Sequence, residues 1–194
     1  MFVTTILLVP RSSEKEGAGG EGRLRREVER LLEGCADEVL VVAGGEAVRR
    51  LPRLEPQERV RFHLDPNLPG EERQLLRAGL LESRPETTHY IVLPFGSERV
   101  SAGLVDRLLS AFLRSRKSLL IVFRRRRSAY PVLLTRRIRR ELLNSEMQGW
   151  LRGTVLRDLS RALFLRLGPG ESLREIKVLE GPRLSRLRVP SPRV

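Results

Sequence analysis

Between an apolar run, VTTILLV at Val3 to Val9, and a helical run beginning near Arg23 lies RSSEKEGAGGEG, a polar and glycine-rich loop. Backbone amides in a loop of this kind can bind an anion, particularly at the start of the helix that follows. About a dozen residues is long for a connection in a compact domain, so the loop is either functional or disordered. Four consecutive arginines, Arg124 to Arg127, separate two further apolar runs. They could clamp an acidic substrate or a phosphate, but a charge run between strands is more often a solvated turn. His63 and His89 have no cysteine or second histidine at ligand spacing, which speaks against a metal site built on them. Cys35 follows Gly34 at a helix end, where the field does not lower a thiol pKa, so it reads as a buried inert thiol. Trp150 reads as a core or interface anchor.

The elements that must carry these residues alternate. VTTILLV is β-branched and aliphatic without alternation, as expected of a strand covered on both faces in a parallel sheet. Leu24, Val28, Leu31 and Leu32 then fall at helical spacing, with Gly34 placed to stop the helix. EVLVVAGG reads as a second buried strand ending in a glycine turn, and the unit closes as a right-handed crossover. EAVRRL predicts a short helix, RVRFHL a third strand, DPNLPG a turn and EERQLLRAGLLES an amphipathic helix. Tyr90 to Leu93 supplies a fourth strand, LVDRLLSAFLRS a helix, SLLIVF a fifth strand, and SAYPVLLTRRIRREL a strand running into a helix. EMQGWLRGTVLRDL predicts a helix before a strand at ALFLRL and a turn at GPGES. The alternation predicts an α/β fold, a three-layer Rossmann-like sandwich with a mostly parallel sheet. A single domain over 1–180 is expected, with a mobile proline-containing tail over 181–194.

The 194 residues are 40% hydrophobic and 31% charged, a globular balance. Formal charge is +13, almost all of it arginine, since Lys15, Lys117 and Lys177 are the only lysines. Such charge favours an anionic partner only weakly. Aromatic residues make up 5% of the chain, which leaves few rings for stacking nucleobases. One cysteine excludes an internal disulfide and fits a cytoplasmic, reducing compartment. The absence of a long apolar run argues against a membrane partner, and the FVTTILLVP opening reads as a strand, not a signal peptide.

The order of parts from Thr88 to Leu143 resembles the second half of the molybdenum-cofactor nucleotidyltransferases, the MobA-like NTP transferases, and the resemblance extends over about Val3 to Val178. It implies the nucleotide-diphospho-sugar-transferase type of sheet. In that family a first strand leads into a glycine turn, then serine, arginine and lysine positions that hold nucleotide phosphates. Here Arg11, Ser12, Ser13 and Lys15 resemble those positions, and Gly19 and Gly20 keep the loop flexible. VVAGGEAVRRL imitates the same opening but lies too near the fourth strand, so its glycines read as a turn device. Leu76, Gly79 and Leu80 match a Gly-Leu segment that implies nucleotide contact at Gly79. YIVLPFGSERV aligns with a strand ending in Gly-Asp-x-Pro, which puts Gly96 on the metal-binding aspartate and Glu98 two residues on. Tyr130 stands at a histidine, before matching Pro131, Val132 and Leu133. LREIKV resembles the closing Asp-Ile-Asp, with Glu175 and Lys177 at the acids.

The resemblance implies transfer of a nucleotide to a phosphorylated acceptor, with CTP or GTP as substrate or ligand, magnesium as cofactor and a molybdopterin-type acceptor. Glu98 and Glu175 are then the candidate catalytic and metal-binding acids. A molybdoenzyme or maturation protein is the implied macromolecular partner. Two alternatives stand beside it. One is a non-catalytic scaffold or partner-binding pseudoenzyme of the same fold, motivated by Gly96, Tyr130 and Lys177. The other is a basic nucleic-acid-binding domain, ranked lower and motivated by the charge and the arginine run.

Overall fold

Apolar runs without alternation become strands covered on both faces. In the computed structural model, residues 1–10, 20–51, 58–96, 100–124, 127–144, 158–168 and 172–175 are described. The strands are β1 (Val3–Val9), β2 (Glu38–Gly44), β3 (Val60–Asp65), β4 (His89–Pro94), β5 (Leu119–Arg124), β6 (Arg127–Thr135), β7 (Ala162–Leu167) and β8 (Leu173–Glu175). They form one sheet in the order β3-β2-β1-β4-β6-β5-β7-β8. β6 and β8 run against the other strands, and the rest are parallel. β1 is therefore central and lies beside β4, as the alternation requires.

Among the described residues five α-helices complete the layers: α1 (Gly20–Leu32), α2 (Glu46–Arg50), α3 (Glu72–Glu82), α4 (Ala102–Ser115) and α5 (Arg136–Asn144). Leu24, Val28 and Leu31 of α1 and Leu104, Leu108 and Phe112 of α4 pack with Val3, Leu7 and Val9 on one face of the sheet. Leu75, Leu76 and Leu80 of α3 and Ile138 and Leu142 of α5 pack with Ile6 and Leu8 on the other. Alternate residues of β1 thus feed two cores, which is why its sequence shows no polar face. At roughly 2 kcal/mol for each fully buried aliphatic side chain, these two cores supply the main stabilisation.

Two details depart from the sequence reading. α1 begins at Gly20, a turn before the apolar spacing becomes visible. The first three residues of LREIKV form a short eighth strand that the sequence reading did not foresee. Most of the helix expected over EMQGWLRGTVLRDL lies outside the described residues, and its described end, Asp158 and Leu159, runs into a single 3-10 turn, Leu159–Arg161. The tail from residue 181 also lies outside them.

Candidate functional site

In open α/β sheets a ligand sits beyond the carboxyl ends of the strands, where neighbouring strands send their connections to opposite sides. β1 and β4 are such a pair, since β1 leads to β2 on one side and β4 leads on toward β5 and β6 on the other. The crevice between them is bordered by the first turns of α1 and by the turn after β4.

That turn is built around Gly96. Its φ is 87°, a region that residues with a Cβ rarely adopt. Phe95 N–H donates to the Leu8 carbonyl at 2.6 Å, extending the β1–β4 ladder past Pro94. The Gly96 N–H then leaves the ladder and donates to Glu27 Oε2 at 3.1 Å. Glu27 belongs to α1 and is only 3% exposed, and its Oε1 lies 3.4 Å from Arg30 Nη2. One turn earlier the Arg23 guanidinium lies over the Phe95 ring, 5.5 Å from its centroid. Two residues of α1 therefore grip the exit of β4.

Glycines shape the same end at β2. A Cβ at Gly44 would stand 2.3 Å from the Leu68 carbonyl oxygen, and Gly45 turns the chain at φ 57° into α2. The Ala-Gly-Gly there is thus a turn device, as expected. Beside β4, β6 carries a bulge in its middle, opposite Ile121 and Val122, which accommodates Pro131 inside the sheet although it has no N–H to donate. Tyr130 lies in this bulge, half-buried, and its hydroxyl has no hydrogen-bond partner.

The sequence-derived site residues divide into those the structure describes and those it does not. Arg11, Ser12, Ser13, Lys15, Gly19 and Glu98 lie outside the described residues. Gly20 is the first residue of α1, at the crevice end of the helix. Gly79 is buried in α3, where a Cβ would come within 2.7 Å of Ile6 Cγ2 and 3.1 Å of Val42 Cγ2. Its lack of a side chain lets α3 approach the sheet, a packing role that needs no ligand. Glu175 ends β8, opposite Leu165 and four strand positions from β4. At about 4.8 Å per strand that is about 19 Å across the sheet. The topology does not bring Glu175 and the Gly96 turn together.

Sequence reasoning missed Glu27. The signal was present: it lies three residues after Leu24 and four before Leu31, on the stripe that α1 buries. A charged residue in that stripe needs a buried partner. Elsewhere, no group of three or more His, Cys, Asp or Glu side chains placed to hold a metal occurs among the described residues. Burial pushes the Glu72 carboxyl up, in the first turn of α3. Burial also pushes the His89 imidazole down, and its ring meets Phe112 edge-on at 6.0 Å. Arg124 and Arg127 pair across the β5–β6 hairpin, and Arg125 and Arg126 are outside the described residues. No described helix is long and apolar enough to cross a membrane.

The family model of the MobA-like NTP transferase domain matches residues 18–163. No curated protein sequence matches the chain significantly. Among solved structures it is similar to a homologue of Mycobacterium tuberculosis Rv0371c from Mycobacterium sp. strain JC1, at 14% identity and a TM-score of 0.66 over 90% of this chain and 89% of that one. Rv0371c of M. tuberculosis H37Rv in complex with manganese gives 14% identity and a TM-score of 0.62 over 86% and 89%. The 4-diphosphocytidyl-2C-methyl-D-erythritol synthase of Anaerococcus prevotii gives 10% identity and a TM-score of 0.66 over 91% of each chain. The sheet is of the nucleotide-diphospho-sugar transferase type.

Proposed function

Because the chain belongs to the MobA-like NTP transferase family, we propose that it binds CTP or GTP in the crevice between β1 and β4 and joins the nucleotide to a phosphorylated, molybdopterin-type acceptor. One observation carries this reading. α1, which follows β1 in the chain, and the turn after β4, the strand beside β1, are tied to each other by Glu27 and Gly96. Arg11, Ser12, Ser13, Lys15, Gly19 and Gly20 hold the phosphates, through guanidinium, ammonium, hydroxyl and backbone N–H donors. Glu98, two residues past Gly96, is the acid assigned to magnesium, which when bound neutralises the phosphates and aligns attack at the α-phosphorus with pyrophosphate leaving. No group of three or more His, Cys, Asp or Glu side chains gathers for such an ion among the described residues, and Glu175, on the edge strand, is not assigned to it. Gly79 is assigned to packing.

Thermal unfolding with millimolar CTP or GTP, with and without magnesium, tests the binding step. A ligand at 100 times its Kd adds about 2.7 kcal/mol, which for a chain of this size raises Tm by about 5–10 °C. No shift with either nucleotide overturns the reading.

A second reading is a non-catalytic scaffold that keeps the fold and docks a molybdoenzyme or maturation partner. It is favoured by the geometry at Gly96, where a glycine at positive φ stands at the position the resemblance gives to an acid, and the nearby carboxylate of Glu27 is taken up by the Gly96 N–H. Label passing from NTP to a pterin phosphate acceptor would exclude it. A nucleic-acid partner ranks third, and binding whose affinity falls steeply with salt would bring it forward.

A further inference from the structure

We propose that Glu27 is a positioning residue: from α1 it sets the conformation of the turn after β4, and so links the helix that follows the proposed phosphate loop to the side of the crevice where Glu98 follows. This rests on the nucleotide-binding reading above for its consequence, but not for its geometry.

The Gly96 amide leaves the β1–β4 ladder and has to find another acceptor, since a buried N–H left unpaired is costly. Glu27 Oε2 provides it at 3.1 Å. A hydrogen bond from an amide to a carboxylate is stronger than one to a carbonyl, and a site nearly excluded from water strengthens it further. The other carboxylate oxygen faces Arg30 of the same helix at 3.4 Å, which fixes the side chain's direction. Arg23 over Phe95 adds a second contact between the same two elements. At its other end α1 is held as well, where Cys35 N–H donates to Asp106 Oδ1 at 2.8 Å. A helix held at both ends and bonded to the turn keeps the turn in one conformation through Glu27.

Glu27 touches no reacting group and is not a catalytic residue. Its effect is confined to the ligand contacts that need the turn in place. Phosphate contacts from the loop before α1 do not depend on it.

The experiment compares the full-length wild type with Glu27→Met and Glu27→Gln. Methionine keeps the length and helix preference of the side chain on an apolar stripe but removes both polar contacts. Glutamine keeps an acceptor for the Gly96 amide. Amide hydrogen exchange of the segment containing Gly96 is expected to rise about tenfold or more in Glu27→Met and to stay near wild type in Glu27→Gln. The Kd for CTP or GTP is expected to weaken about tenfold in Glu27→Met with magnesium present and to change less than twofold in EDTA. Unchanged exchange at Gly96 in a folded Glu27→Met protein overturns the proposal, as does an equal loss of affinity with and without magnesium. If the wild type binds neither nucleotide, the functional reading fails, and the exchange comparison alone then decides whether Glu27 sets the turn.

Discussion

The two ends of the sheet are closed by different chemistry. At the amino ends of the strands, side chains do the work. Glu38, 1% exposed, accepts from Thr4 Oγ1 at 3.2 Å and pairs through Oε1 with Arg84 Nε at 3.0 Å and Arg61 Nη1 at 3.3 Å. Thr4 also meets Thr87 at 2.8 Å, and Asp37 accepts from Val3 N–H at 2.7 Å while its own N–H donates to the Val3 carbonyl at 2.9 Å. At the carboxyl ends the chain turns on glycines: Gly44 against Leu68, Gly45 and Gly96 with positive φ, and one carboxylate, Glu27, bonded to main chain. The first end is fastened by partners that hold one another. The second is shaped by residues that leave space, which is what an end that must admit a ligand requires.

Breaking the fastened end has the largest expected effect. Glu38→Ala leaves the Thr4 hydroxyl and two guanidinium groups without their carboxylate. The arginines are more than a third exposed, so water takes over part of their interaction. The net loss is about 2–3 kcal/mol, or a fall in Tm of about 5–10 °C by calorimetry. Nucleotide affinity is expected to stay within twofold. A large change in affinity with little loss of stability would mean that the two ends are not separate.

Gly96→Asp tests the open end. It introduces the acid that the family resemblance puts at this position, yet on this backbone it forces a Cβ residue to φ 87° and brings a second carboxylate beside Glu27. The strain costs about 1–2 kcal/mol, a fall in Tm of about 3–7 °C. Manganese affinity, measured by titration, is expected not to rise. A tighter metal site in this variant would show that the turn can rearrange and that Glu27 does not hold it.

How far this contrast was legible in the sequence differs between its halves. Strands β1 to β7 and the five described helices were legible as apolar runs or helical spacing bounded by turn residues, because burial on one or two faces leaves its mark on the chain. Gly44 and Gly45 were readable as a turn because their neighbours are a strand and a short helix. Glu27 was not, because its role depends on Gly96, 69 residues away, and on a φ that only the folded turn has. Glu175 shows the opposite difficulty. Linear resemblance put it at a metal site, and strand order set it on the edge strand beyond β7. Motif letters carry no information about which strands become neighbours.

Tyr130→Phe should have a smaller effect. It removes a buried hydroxyl that has no partner, so stability should hold or rise by up to about 1 kcal/mol. Weaker nucleotide or acceptor binding in this variant, with Tm unchanged, would make the bulge of β6 part of the open end.

The smallest effect concerns Cys35, which stands where α1 meets α4 and so belongs to neither end. Burial first, and then the Asp106 carboxylate, push its thiol up to about 12. The thiolate is the reactive form, and at pH 8 a thiol so raised is ionised less than a free one by more than about two orders of magnitude. Iodoacetamide labelling of the folded protein at pH 8 should be slower by at least that factor than labelling after denaturation. Asp106→Asn removes the negative charge but keeps an acceptor for the Cys35 N–H, so it should restore only part of the rate, the part burial does not account for. If Asp106→Asn labelled as fast as the denatured chain, the carboxylate and not burial would be protecting the thiol. The helix end that anchors α1 would then be open to water, and the core contacts of Leu24, Val28 and Leu31 would hold the helix without it.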